Sequence, residues 1–134
     1  MAEERAVDPD RAFPGDGASA AERADAAARV DELRRRIDDL DELLVRLLSA
    51  RAACALEVGR VKKLLRLEIY QPSREAEVLA HVQRINPGPL NDASMKRLFE
   101  RVIDENRRLE REAEVREHGA GGGPPDPAGP TSTE

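Results

Sequence analysis

Aromatic residues are nearly absent from this 134-residue chain, which has two Phe, one Tyr and no Trp. They are Phe13, Tyr70 and Phe99. With a composition 40% hydrophobic and 37% charged, this scarcity suits packed helices and suits a β-sandwich poorly. The single cysteine, Cys54, excludes a disulfide within the chain and fits a reducing compartment, so a cytoplasmic location is expected. Cys54 and the two histidines, His81 and His118, make no metal-ligand spacing, and no metal site is expected. No apolar run approaches the roughly 20 residues of a membrane span. The first residues, Met1-Ala2-Glu3-Glu4-Arg5, hold no apolar core and do not read as a signal peptide. A net charge of -5 argues against a nucleic-acid partner, while leaving room for a local pocket of positive charge.

What is present is helical periodicity between two weakly apolar ends. Residues 1–18 mix Pro9, Pro14, Gly15 and Gly17 with charges and read as a flexible arm. Residues 119–134 (GAGGGPPDPAGPTSTE) read as a disordered Gly/Pro tail. The working domain is therefore expected over 27–117. From Ser19 to about Leu67 there is no proline, and Gly59 is the only glycine. Ser19 with Glu22 three positions on has the form of a capping box. Val30, Leu33, Ile37, Leu40, Leu44, Leu47, Leu48, Ala55, Val58 and Val61 then recur mostly in steps of three and four. The spacing predicts one long helix, frayed before Ala27.

Leu67 to Gln71 breaks that pattern ahead of Pro72, which suits the first turn of a second, shorter helix ending near Arg84. Asn86-Pro87-Gly88-Pro89 stops it. A third helix of medium length starts at Asn91 or Asp92, with Met95, Leu98, Phe99, Val102, Ile103, Leu109 and Ala113 as its apolar stripe. The fold class is all-α. A first helix of about 60–70 Å outruns a compact domain of this size, whose radius of gyration is about 12–13 Å. The other two helices cannot cover its stripe, so a homodimer is expected. A long coiled coil projecting into solvent is the plainer alternative.

Polar side chains interrupt these seams. Along 37, 40, 44, 48, 51, 55, 58 and 62, Arg51 and Lys62 stand where Leu or Val should. They share one face of the helix, about 16 Å apart along its axis. Charges in a packed seam are costly unless paired. Asn106 and Glu110, spaced i, i+4, extend the face of Phe99, Val102 and Ile103 on the third helix. Each alone reads equally well as a rim residue or a snorkelling chain; four on two faces that must pack together point to an anion held between helices. Arg34, within Arg34-Arg35-Arg36, looks like part of a solvated run. It lies about 25 Å along the helix from Arg51, so in a straight helix it can serve only a partner's site.

These residues resemble the all-helical, type II chorismate mutases. The likeness is carried by Leu33, Arg34, Ile37, Leu40, Asp41 and Leu44; by Leu47, Leu48 and Arg51; and by Glu57, Val58, Gly59 and Lys62. Tyr70, Pro72, Arg74, Glu75, Val78, Leu79, the Asn86-Pro87-Gly88-Pro89-Leu90 loop and Leu98-Phe99 continue it, over about 33–110. Val45 stands where relatives often have leucine.

The resemblance implies an intertwined homodimer of three-helix chains, converting chorismate to prephenate on the route to phenylalanine and tyrosine without a cofactor. It implies that Arg51, and Arg34 from the partner chain, bind carboxylates. Lys62 would contact a carboxylate and the ether oxygen. Glu75 would accept from the ring hydroxyl, Arg74 would support the site, and Asn106 and Glu110 would line the other wall. Two departures matter. Gln71 stands where a relative can carry Asp beside the hydroxyl, and Glu110 stands where many have Gln. Glu110 can donate to the ether oxygen only when protonated. Isochorismate-pyruvate lyases and aminochorismate mutases use the same scaffold and are the nearest alternatives; a non-catalytic helical interaction module is the one from another class. At this length no fused dehydratase or regulatory domain is expected, and a regulatory partner enzyme stays open.

Overall fold

The computed structural model describes residues 6–9 and 17–120. The remaining parts of the expected arm and tail, with Phe13, lie outside the described residues. Three helices make up the fold: α1 (Ala20–Leu64), α2 (Pro72–Ile85) and α3 (Asp92–Ala120). No strand occurs among the described residues. The chain's internal contacts fall into two units, Met1–Leu47 and Leu48–Glu134, whose boundary lies within α1.

The start of α1 is fixed by a reciprocal cap. Ser19 Oγ accepts from the Glu22 amide at 3.1 Å, and the Ser19 amide donates to Glu22 Oε2 at 2.7 Å. Two orphan amide donors are thereby satisfied. The helix is continuous from Ala20, so the expected fraying before Ala27 does not occur. Among the described residues of this unit, Ala27 is the buried one. The Val7 amide donates to Asp31 Oδ1 at 3.5 Å, so part of the expected flexible arm lies against α1.

The other end of α1 closes on a left-handed residue. Arg66 has φ 58°. Its amide donates to the Lys63 carbonyl at 3.2 Å, and the Leu67 amide to the Lys62 carbonyl at 2.8 Å. This pair of bonds is the Schellman arrangement, which usually places glycine where Arg66 stands.

Pro72 occupies the first turn of α2, where its missing N–H goes unneeded, and Gln71 before it is extended at φ -127°, ψ 91°. Asn86 then organises the loop. Its Nδ2 donates to the Leu90 carbonyl at 2.7 Å and to Asp92 Oδ1 at 3.0 Å, while its Oδ1 accepts from the Gly88 amide at 3.1 Å. Gly88 has φ +73°, a conformation that a side chain would strain. Asn91 caps α3 by accepting from the Ser94 amide at 2.8 Å. The helix includes Gly119 and runs through Ala120, past the expected start of the tail at 119.

The second unit buries Val82 of α2 and Ile103 of α3, each worth about 1.5–3 kcal/mol of transfer free energy. Leu98, expected in the α3 stripe, is exposed. Within this unit α1 covers Arg51, Ala55, Gly59 and Lys62 in part, whereas Val58 is 49% exposed. The covered seam therefore steps through 55, 59 and 62 instead of 58. Gly59 allows this, because a Cβ there would meet Glu110 Cγ and Oε2 at 3.4 Å.

Candidate active site

The second unit holds a cavity of about 300 Å³ between the C-terminal stretch of α1, α2 and α3. Seven of the eight residues singled out in the sequence line it: Arg51, Lys62, Gln71, Arg74, Glu75, Asn106 and Glu110. Helical period explains the grouping. Arg51, Ala55 and Lys62 share one face of α1, and Ile103, Asn106, Arg107 and Glu110 share one face of α3. The pre-proline segment and first turns of α2 bring in Gln71, Arg74, Glu75 and Val78. Arg34 belongs to the other unit and is not among the lining residues.

Each charge in the cavity has a definite setting. Arg51 donates through a terminal guanidinium nitrogen to Asn106 Oδ1, joining α1 to α3. Lys62 Nζ donates to the Ile69 carbonyl at 3.1 Å, which ties the α1–α2 connection back onto the helix. Arg74 pairs with Glu77 at 3.0 Å, with both side chains mostly in water, so its guanidinium sits at the rim. Such an exposed pair contributes little to stability.

Glu75 is held differently. Arg107 Nε lies 3.0 Å from its Oε1, with the two side chains only 23% and 22% exposed. The approach is too bent for a directed hydrogen bond and leaves the buried Nε unsatisfied in that sense. Arg107 also pairs with Asp104 and stacks over the Tyr70 ring at 5.1 Å from its centroid. The sequence reading missed Arg107, because Arg107-Arg108 looks like a solvated pair. The signal was its position four residues after Ile103 and eight after Phe99.

Glu110 is the perturbed acid. Its Oε2 is buried and has no hydrogen-bond partner. Burial raises its pKa above the usual carboxylate range, and the charges of Lys62 and Arg107 pull it back only in part. A second cavity, of about 280 Å³, shares Ile69 and Glu110 with the first. No group of His, Cys, Asp and Glu among the described residues could hold a metal ion. No helix among them is long and apolar enough to cross a membrane.

The arrangement offers four cations, Arg51, Lys62, Arg74 and Arg107, against two carboxylates, one of them inclined to protonate. It can hold a small polyanion, present a fixed ammonium to a developing negative oxygen, and donate from a carboxylic acid.

Comparison with known proteins gives the same picture. The family model described as chorismate mutase type II matches residues 33–111. The bifunctional chorismate mutase/prephenate dehydratase of Stutzerimonas stutzeri is 43% identical over 94 residues, 66% of this chain and 26% of the relative. The chain thus spans about a quarter of that relative's length. The 4-amino-4-deoxychorismate mutase of Streptomyces pristinaespiralis is 32% identical over 90 residues, covering 66% of this chain and 70% of that protein. Among solved structures, form II of the chorismate mutase from Thermus thermophilus aligns with a TM-score of 0.61 and 36% identity, over 62% of this chain and 94% of that one.

Proposed function

The chain belongs to the chorismate mutase type II family, and from that premise we propose that it rearranges chorismate to prephenate, the work being done by residues 27–117. The reading rests above all on one observation: Arg51, Lys62, Asn106 and Glu110, which interrupt the helical seams, line one cavity together with Gln71, Arg74 and Glu75, which the resemblance singles out. The reaction breaks an ether bond and forms a carbon–carbon bond within one molecule. What it needs is a folded, near-attack conformer and positive charge at the departing oxygen.

Arg51 binds one carboxylate through its guanidinium fork, and its bond to Asn106 pre-orients it. Lys62, held by the Ile69 carbonyl, faces a carboxylate and the ether oxygen. Glu110 donates to that oxygen from its protonated form, and its raised pKa supports this role. Glu75 accepts from the ring hydroxyl, with Gln71 beside it and Arg74 at the rim. Arg34 completes the site of a second copy, in an intertwined homodimer. The exposed leucines of α1, such as Leu40 and Leu44 at 57% and 54%, support a covering second chain. We place the enzyme in the cytoplasm, without a nucleic-acid or membrane partner. A prephenate-consuming enzyme is a natural partner, given the dehydratase named in the bifunctional relative.

Similarity to a 4-amino-4-deoxychorismate mutase supplies a second reading, in which the ring carries an amine. Product analysis with chorismate, isochorismate and 4-amino-4-deoxychorismate tests both. The proposal expects prephenate from chorismate. Turnover of the amine alone, or release of pyruvate from isochorismate alone, would replace it.

A further inference from the structure

The pairing of Arg107 with Glu75 bears on which ring substituent this cavity accepts, and it rests on the reading just proposed. Three features stand together at that corner. Glu75 has a guanidinium 3.0 Å from its carboxylate, in a contact about four-fifths shielded from water. Gln71, the neighbouring polar residue on the cavity wall, is neutral. Arg107 is itself immobilised, by Asp104 on its own helix and by the Tyr70 ring beneath it. These contacts hold the guanidinium in one position against the side-chain entropy lost by fixing it.

We infer that Arg107 is a positioning and specificity-determining residue: it fixes the Glu75 carboxylate and balances its charge, so that the cavity takes a ring hydroxyl in preference to a ring ammonium. A hydroxyl needs only an oriented acceptor, and Glu75 Oε2 can supply it while Oε1 faces Arg107. An alkyl amine is protonated at neutral pH and needs net negative charge opposite it. Here that charge is already matched by Arg107, and of the other ionisable groups lining the cavity Arg51, Lys62 and Arg74 are positive and Glu110 alone is acidic. Unpaired like charges are how a site rejects a near-isosteric competitor.

The test compares kcat/KM for chorismate and for 4-amino-4-deoxychorismate, in the full-length chain at pH 7. Arg107→Gln is expected to lower the chorismate value by about tenfold to a hundredfold and to shift the amine-to-hydroxyl ratio toward the amine by about tenfold. Arg107→Lys keeps the charge and is expected to keep the ratio while losing part of the rate. Glu75→Gln leaves the guanidinium unbalanced and is expected to move the ratio the other way. In the Glu75→Gln background, Arg107→Gln should change chorismate turnover by less than about twofold, since the two act as a unit. Should the glutamine variant fail to fold by circular dichroism, Arg107→Met, which keeps an unbranched apolar stem and no charge, takes the same test, and the Glu75→Gln arm stands independently. A ratio unmoved by Arg107→Gln, or losses that multiply in the double variant, would overturn the inference while leaving the mutase reading intact. A wild-type chain that turns over neither substrate overturns the mutase reading and this inference with it.

Discussion

Two stretches of one helix meet different fates. In the unit ending at Leu47, α1 buries only Ala27 and leaves Ile37, Leu40, Leu43 and Leu44 more than half exposed. In the unit beginning at Leu48, the same helical period carries Arg51, Ala55, Gly59 and Lys62 onto a face that α2 and α3 partly cover. The apolar stretch is left bare and the charged one is enclosed, the reverse of what burial energetics alone would choose. The contrast makes sense if the bare stretch awaits a second copy and the enclosed charges await an anion. Arg34, itself partly covered, is alone among the singled-out residues in belonging to the first unit.

The sharpest way to break this comparison is to disable each stretch separately. Arg51→Ala and Arg34→Ala should each cost about 10²–10³-fold in kcat, the usual loss for one preorganised charge donor. Refolding the two inactive variants together should restore activity to about a quarter of the wild-type value, since half the dimers are mixed and each has one intact site. No recovery, with mixed dimers demonstrated by mass spectrometry, would refute the shared site.

Next in size is Leu44→Glu, which puts a charge on the bare stretch. It is expected to yield a monomer in sedimentation equilibrium and to abolish turnover. An unchanged dimer would mean that this stretch faces solvent.

Glu110 probes the enclosed stretch more gently. Its pKa is raised by burial, so the protonated, donating form persists to higher pH than for an ordinary glutamate. Activity is expected to fall as pH rises through that raised value, and Glu110→Gln should flatten the profile. Stability carries the same sign. Between the ordinary and the raised pKa the folded chain binds more protons than the unfolded one, so stability drops as pH rises through that window. The glutamine variant should lose that drop in urea titrations at several pH values. A profile indifferent to the substitution would remove Glu110 from the chemistry.

The smallest effects compare the two ends of α1. Ser19→Ala removes one half of the capping box and should cost about 1 kcal/mol. Arg66→Gly relieves a left-handed residue at φ 58° and should gain about 1 kcal/mol or less, offset in part by the freedom of glycine in the unfolded chain. Thermal melts of both variants test the pair.

Much of this was legible in the residues. Ser19 with Glu22, Pro72, and Asn91 mark helix starts by chemistry that acts within a few residues, and local chemistry survives in a sequence. Arg51 and Lys62 betray themselves because a charge in an apolar seam violates a period. Arg107 escaped because its partners, Glu75 and Tyr70, are 32 and 37 positions away. Without them it looks like any surface arginine. Val58 was given the covered place that Gly59 holds, because periodicity weighs side chains and a glycine shows none. Its contribution is the space that Glu110 fills.

The sequence by itself determined three helices, their caps, and the charged residues that break their seams, because propensity, capping and period are properties of neighbours along the chain. Only the tertiary structure decided that Glu75 is matched by Arg107 and that Glu110 sits against Gly59 with an unpartnered oxygen. Those outcomes depend on which helix face meets which, and on the burial that follows.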